Sequence, residues 1–135
     1  MEKAQAGKSI KWSPILPAQG LHSFSAYRKS LELFDFVASD LQSFSGKYEL
    51  TNLIAQHLAS ADSIAANIEE GYGRESKRDY SHFLIIARGS AQETMGRYGR
   101  FKHWIDPKKI ETRLNLCGEI IAILTTSIRK LRSPS

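Results

Sequence analysis

The sequence predicts an all-α protein, folded as an antiparallel up-down-up-down four-helix bundle. Three observations support this fold class. Apolar residues recur every three or four positions in four stretches, which places them on one face of a helix. Residue types that end one helix and start the next separate these stretches. Between the turn signals, no segment of four or more residues alternates apolar and polar side chains as a strand would.

The first helix is predicted from an apolar stripe that is flanked by Leu33, Val37 and Phe44 and ends near Gly46. The members of this stripe are Phe24, Tyr27, Leu31, Phe34, Ala38 and Leu41. The apolar face is therefore wider than one core-facing stripe. Because a wide face leaves apolar area exposed on a monomer, we expect the chain to self-associate.

The second helix carries apolar residues from Leu50 to Ile68, with His57 among them. It is predicted to end at Gly71 and Gly73, since glycine adopts positive φ readily just past a helix end.

The third helix is predicted to start at Ser76, whose hydroxyl can cap the first turn, and to continue to Phe101. It contains Gly89, Gly96 and Gly99, each of which costs up to about 1 kcal/mol relative to alanine inside a helix. We expect another backbone to pack closely where these glycines lie.

The fourth helix is predicted to start at Asp106 and Pro107, a capping residue followed by a favourable first residue. From Ile110 to Leu131, apolar residues repeat at alternating spacings of four and three, as in a heptad seam. Cys117 lies within this seam, so we expect a buried and unreactive thiol.

With 135 residues, the chain has the size of one domain, which we place at residues 21–132 after a flexible N-terminal arm at residues 1–20. The longest aliphatic run, residues 120–124, is too short for a membrane span, and no secretory signal is visible, so we expect a cytoplasmic protein. A single cysteine and four histidines without metal-binding spacing predict no metal, no cofactor, no small-molecule substrate and no enzymatic activity.

The net charge of +5 is unevenly distributed along the chain. Residues 1–73 contain 6 basic and 8 acidic side chains, whereas residues 74–135 contain 13 and 6. An excess of this size favours an anionic partner, most often RNA or DNA, although a solvated basic surface would look the same. The candidate nucleic-acid-binding residues are Arg74, Lys77, Arg78, Arg97, Arg100, Lys102, Lys108 and Lys109.

Residues 63–76 and 83–93 resemble a known family. They read S-I-A-A-N-I-E-E-G-Y-G-R-E-S and F-L-I-I-A-R-G-S-A-Q-E. The family pattern is S-I-x-x-N-I-A-E-G-x-G-R-x-S followed by F-L-x-I-A-x-G-S-x-x-E. It is the pattern of four-helix-bundle proteins first noticed as products of intervening sequences in bacterial 23S ribosomal RNA genes. The accessory variability determinant (Avd) of diversity-generating retroelements is a distant relative.

This resemblance implies a non-enzymatic protein that assembles as a ring-like homopentamer and binds nucleic acid as a scaffold or adaptor. In the retroelement branch the adaptor serves a reverse transcriptase. The motif residues that match are Asn67, Glu70, Gly71, Gly73, Arg74, Ser76, Gly89, Ser90 and Glu93. Apart from Arg74, we interpret these residues as structural. Asn67, Glu70 and Glu93 would form polar links between helices or subunits, and the glycines would allow sharp turns and close packing.

The sequence departs from the family pattern in helix two. Many relatives have an arginine pair where this chain has Leu58 and Ala59, and Glu69 replaces the usual alanine. Cationic contacts would then come from helix three and its neighbours. The alternative function is a protein–protein interaction module whose basic surface meets an acidic protein partner.

Overall fold

The all-α prediction is confirmed by a computed structural model that describes residues 18–44 and 46–134. Within these residues the chain forms helices and turns and no strand. The helices are α1 (Ala18–His22), α2 (Ser25–Leu41), α3 (Thr51–Tyr72), α4 (Lys77–Arg100) and α5 (Pro107–Arg132), with short 3-10 turns at Gln42–Phe44, Tyr48–Leu50 and Phe101–His103. The short helix α1 was not predicted. Residues 1–17 of the predicted N-terminal arm lie outside the described residues.

The four long helices pack side by side in an antiparallel arrangement. Near the start of α4, Ser81 contacts Arg132 at the end of α5, and further along α4, Arg88 contacts Thr125. Helices α3 and α4 are also antiparallel, because Ser60 contacts Thr94 and Ser63 contacts Ser90. Helices α2 and α5 are antiparallel as well, with the contacts Lys29–Glu119 and Asp40–Arg113. The result is one bundle around one core.

The predicted helix boundaries agree closely with the structure. The Ser76 hydroxyl accepts a hydrogen bond from the Asp79 backbone N–H at 3.0 Å, which caps α4. The Asp106 carboxylate accepts one from the Lys108 backbone N–H at 3.3 Å, with Pro107 as the first residue of α5. After α2, Gly46 adopts a φ of 86°, as expected for a glycine in the turn that follows a helix.

The rotation of α2 about its axis differs from the prediction. The face that packs into the core contains Leu33 and Val37, which were predicted only to flank the main stripe. Leu31 and Phe34, two members of that stripe, are only half-buried. The structure therefore leaves an apolar strip at the edge of the bundle.

Helix α5 is rotated in a similar way. Leu116 and Ile120 are buried, whereas the predicted seam residues Leu114 and Ile121 are half-buried. Cys117 is buried as expected, and burial raises the pKa of its thiol to about 12.

A buried ion pair that the sequence did not reveal connects three helices. Asp40 on α2 accepts two hydrogen bonds from Arg113 on α5, at 3.0 Å each, and one from the Tyr98 hydroxyl on α4 at 2.7 Å. Burial alone would raise the pKa of Asp40, but the hydrogen bonds from Arg113 and Tyr98 outweigh it and hold the pKa below its usual value. The Arg113 guanidinium also stacks on the Phe36 ring, 3.9 Å from its centroid. This carboxylate therefore fixes the positions of α2, α4 and α5 relative to one another along the bundle axis.

His57 lies in the same part of the core. Its ring packs against Tyr98 at 4.5 Å and Phe101 at 5.0 Å, and neither ring nitrogen has a hydrogen-bond partner in the described structure. Burial, together with the charge of Arg97, lowers the pKa of His57 to about 4. The imidazole is therefore neutral near pH 7 and acts as a core side chain.

The Asp40–Arg113 pair can be compared with an exposed pair between the same two helices, Lys29–Glu119. We expect Asp40→Asn to lower the free energy of unfolding by about 3–5 kcal/mol, because it leaves a buried guanidinium without a counter-charge. Glu119→Gln removes the exposed pair and should cost no more than about 1 kcal/mol. Urea denaturation of both variants measures the difference, and equal effects would contradict this account of the core.

Candidate nucleic-acid interface

The eight predicted cationic residues lie in two groups at opposite ends of α4. Arg74, Lys77 and Arg78 lie at its start. The second group lies at the end of α4 and in the segment that leads into α5, and consists of Arg97, Arg100, Lys102, Lys108 and Lys109. A helix of 24 residues spans about 36 Å at 1.5 Å per residue. The structure therefore does not bring all eight residues into one site.

At the start of α4, the antiparallel neighbour α5 adds three cations that were not among the predicted binding residues. The last turn of α5 contains Arg129, Lys130 and Arg132, and the Arg132 guanidinium reaches α4. All three side chains are exposed, like those of Lys77 and Arg78. We call these five residues the basic end. Only the antiparallel placement of α5 shows that they lie together.

Arg74 is already engaged with its neighbours. It forms an ion pair with Glu70 at 2.6 Å, and its guanidinium lies 4.8 Å from the centroid of the Phe83 ring. Part of its charge is therefore neutralised, and we do not include it in the basic end.

Arg97 is less accessible than the other candidate residues at this end of α4. It is half-buried, and its Nη1 donates a hydrogen bond to the Gln56 side chain on α3 at 2.9 Å. The remaining members of the second group are exposed, and Trp104 lies among them with 45% of its surface accessible. Tyr98 and Phe101, in contrast, are completely buried, so Trp104 is the ring at this end that can stack on a base.

One polar motif residue, Ser90, links α4 to α3, whereas the hydrogen bonds of Asn67 stay within α3. Asn67 donates to the side chain and the backbone oxygen of Ser63 on α3, and Ser90 on α4 donates to the same Ser63 hydroxyl at 2.8 Å. One turn further along, Thr94 lies 3.0 Å from Ser60. These small side chains let α3 and α4 approach closely. The structural roles of Asn67 and Ser90 stay predictions.

Glu70 and Glu93 do not link helices within the chain. Both are exposed, and Glu70 pairs with Arg74 on the surface. Neither side chain is therefore a buried link between helices of one chain, and the alternative, a polar link between subunits, stays a prediction.

The glycines follow the prediction only in part. A Cβ on Gly71 would lie 2.8 Å from the Phe83 Cβ, so close packing requires glycine there. Gly73 has a φ of −82° instead of the expected positive value. Gly89 and Gly99 have open space where a Cβ would be, and at Gly96 only the Arg100 side chain comes near, so the expectation of a close backbone within the chain is wrong for all three.

Within residues 18–44 and 46–134, none of the helices is both long enough and apolar enough to cross a bilayer. These residues also contain no group of three or more His, Cys, Asp and Glu side chains placed to hold a metal ion.

Comparison with known proteins identifies the family. The family model described as "23S rRNA-intervening sequence protein" matches residues 22–126, most of the chain. The chain belongs to this family. The match extends from the end of α1 into α5 and stops before Arg129, Lys130 and Arg132. The resemblance of the two motif segments to the intervening-sequence family is thereby confirmed.

A solved structure supports the same assignment. The chain is similar to a crystal structure of a protein of unknown function from the S23 ribosomal protein family of Bacteroides thetaiotaomicron VPI-5482, with a TM-score of 0.72 and 26% sequence identity. The similarity covers 78% of this chain and 96% of that one. No curated protein matches the chain.

Proposed function

We propose that this member of the family is a non-enzymatic, oligomeric adaptor that binds RNA or DNA through the basic surface of α4 and α5. The distribution of charge among the helices carries the proposal. Helix α3 contains three acidic residues and no lysine or arginine, whereas α4 contains five basic and two acidic residues and α5 contains six and two. One side of the bundle is therefore suited to phosphate groups and the other is not.

The basic end meets the physical requirements for contact with a nucleic-acid backbone. Its five side chains are exposed, and they come from two helices whose ends lie together. Phosphate contacts of this kind give affinity with little sequence preference. We therefore expect binding to depend on charge and strand length more than on sequence.

The non-enzymatic role is supported by how the internal polar groups are used. The Asp40 carboxylate is bound by Tyr98 and Arg113, and the hydroxyls of Ser63 and Ser90 bind each other. These groups stabilise the packing of the helices, and none of these hydrogen-bonded groups lies at the basic end.

Self-association is supported by apolar surface on the α2–α3 side. Phe34 and Leu58 are half-buried, and Tyr48 is 89% exposed. A groove of about 430 Å³ lies beside them, lined by Phe44, Gly46, Lys47, Tyr48, Thr51, Ile54, Ala55 and Leu58. The occupant we propose is a second copy of the chain, because the acidic α3 complements the basic α4 and α5. The number five and the ring shape follow from the family resemblance, as does a reverse transcriptase as a further partner.

Light scattering tests the assembly. We expect a mass of about 76 kDa, five times the 15.2 kDa of one chain. Phe34→Glu places a charge on the apolar strip and should lower the mass while the far-UV circular dichroism stays helical. Asp35→Ala, at an exposed position on the same helix, should leave the mass unchanged. A wild-type mass of 15.2 kDa at micromolar concentration would contradict the proposal.

A salt titration tests nucleic-acid binding. We expect the wild type to bind a mixed-sequence single-stranded RNA and a DNA of equal length, with a log–log salt slope of about −0.7 per phosphate contacted. The double variant Lys77→Glu with Lys130→Glu should bind both at least about tenfold more weakly and with a shallower slope, because two phosphate contacts are lost.

The control variant makes the same change in net charge elsewhere in the bundle. Arg28→Glu with Lys29→Glu reverses two residues of α2 that do not line the groove assigned to the second copy, and it should bind much as the wild type does. If the wild type does not bind near about 50 mM salt, where phosphate contacts are strong, the nucleic-acid proposal fails. The acidic protein partner then becomes the better explanation of the basic surface.

A further inference from the structure

An open groove separates the start of α4 from the end of α5. It is lined by Arg78, Ser81, Leu131 and Arg132 and has a volume of about 530 Å³, within the usual range for ligand sites. Two of its four lining residues are arginines. Within the described residues, neither arginine forms an ion pair.

The groove holds one of these arginines in a defined position. Ser81 is completely buried, and its hydroxyl donates to the Arg78 backbone oxygen at 2.8 Å. The same hydroxyl oxygen accepts a hydrogen bond from the Arg132 Nε at 3.2 Å. Because Nε is occupied in this way, the guanidinium plane is oriented by a rigid helix. No described residue accepts a hydrogen bond from its two terminal amino groups.

The electrostatics of the groove favour an anion. Lys77, Arg78 and one acidic residue, Asp79, lie in the first turn of α4, the positive end of the helix dipole, so cations outnumber acids there. Arg132 adds a further positive charge from α5. A bound anion would offset this mutual repulsion, and a guanidinium with two free amino groups fits two oxygens of a phosphate.

We infer that this groove is a phosphate clamp, in which Arg132 binds one backbone phosphate of a nucleic-acid strand through its terminal amino groups and Arg78 contacts the same or the next phosphate. Ser81 is the positioning residue. The groove is open along one side, which suits a strand that passes over the surface. This inference rests on the proposed function and assigns its main contact to residues beyond the segment that matches the family.

A change of geometry at constant charge provides the sharpest test. Arg132→Lys keeps the charge and loses both the bond to Ser81 and the two-pronged contact, so binding of a 20-residue oligouridylate should weaken about tenfold. Ser81→Ala should weaken it about threefold, because the guanidinium is no longer oriented. The salt slope should stay the same in both variants, since the number of charges is unchanged.

Arg28→Lys is the matched control. Arg28 is exposed on α2, outside the basic end and away from the groove, so this variant should bind within about twofold of the wild type. Fluorescence anisotropy measures all four affinities, and oligodeoxythymidylate of the same length should respond alike because the clamp contacts phosphate. Melting temperatures near that of the wild type show that the variants are folded.

The outcomes separate the clamp from the broader proposal. If the wild type binds and Arg132→Lys behaves like Arg28→Lys, the clamp is wrong and nucleic-acid binding stands. If Arg132→Lys weakens binding and also makes the salt slope shallower, the variant has lost a whole phosphate contact and not only its geometry, and the clamp is again wrong. If the wild type binds neither oligonucleotide, both proposals fail.

Discussion

The carboxylate of Asp40 is the constraint on which the arrangement of the helices depends. It collects hydrogen bonds from α4 and α5 and must therefore face the centre of the bundle. Buried ion pairs contribute little net stability compared with apolar packing, so its main effect is to fix the rotation and height of three helices. Phe34 lies six residues earlier, about 120° around α2, and is consequently at the edge of the core. The apolar strip that we assign to subunit contact is a result of this rotation.

The same arrangement determines where the charges lie. On the α3 side of α4, small hydroxyl residues such as Ser90 and Thr94 pack against α3 and engage one another. On the α5 side, antiparallel packing brings the last turn of α5 to the first turn of α4. The buried hydroxyl groups between α3 and α4 are thus hydrogen-bonded within the chain, while the cations at this end are exposed.

Helix limits could be predicted from the sequence because they depend on local chemistry. Ser76 and Asp106 cap their helices as expected, and Gly46 adopts the left-handed conformation that its place after a helix suggests. Helix rotation could not be predicted, because several apolar stripes were wide enough to face the core in more than one way. The partners of Asp40 lie 58 and 73 residues away, so no local pattern reveals them. For the same reason, the sequence showed that residues 74–135 are basic and did not show that Arg132 meets Arg78.

In the function that we propose, nucleic acid lies across the basic surface of α4 and α5. Photo-crosslinking to a 20-residue oligouridylate that contains 4-thiouridine, followed by mass spectrometry of the peptides, tests it most directly. The account predicts crosslinks to peptides from the start of α4 and the end of α5, lost when salt is raised. Crosslinks confined to α2 and α3, whose surface is acidic and apolar, would contradict it.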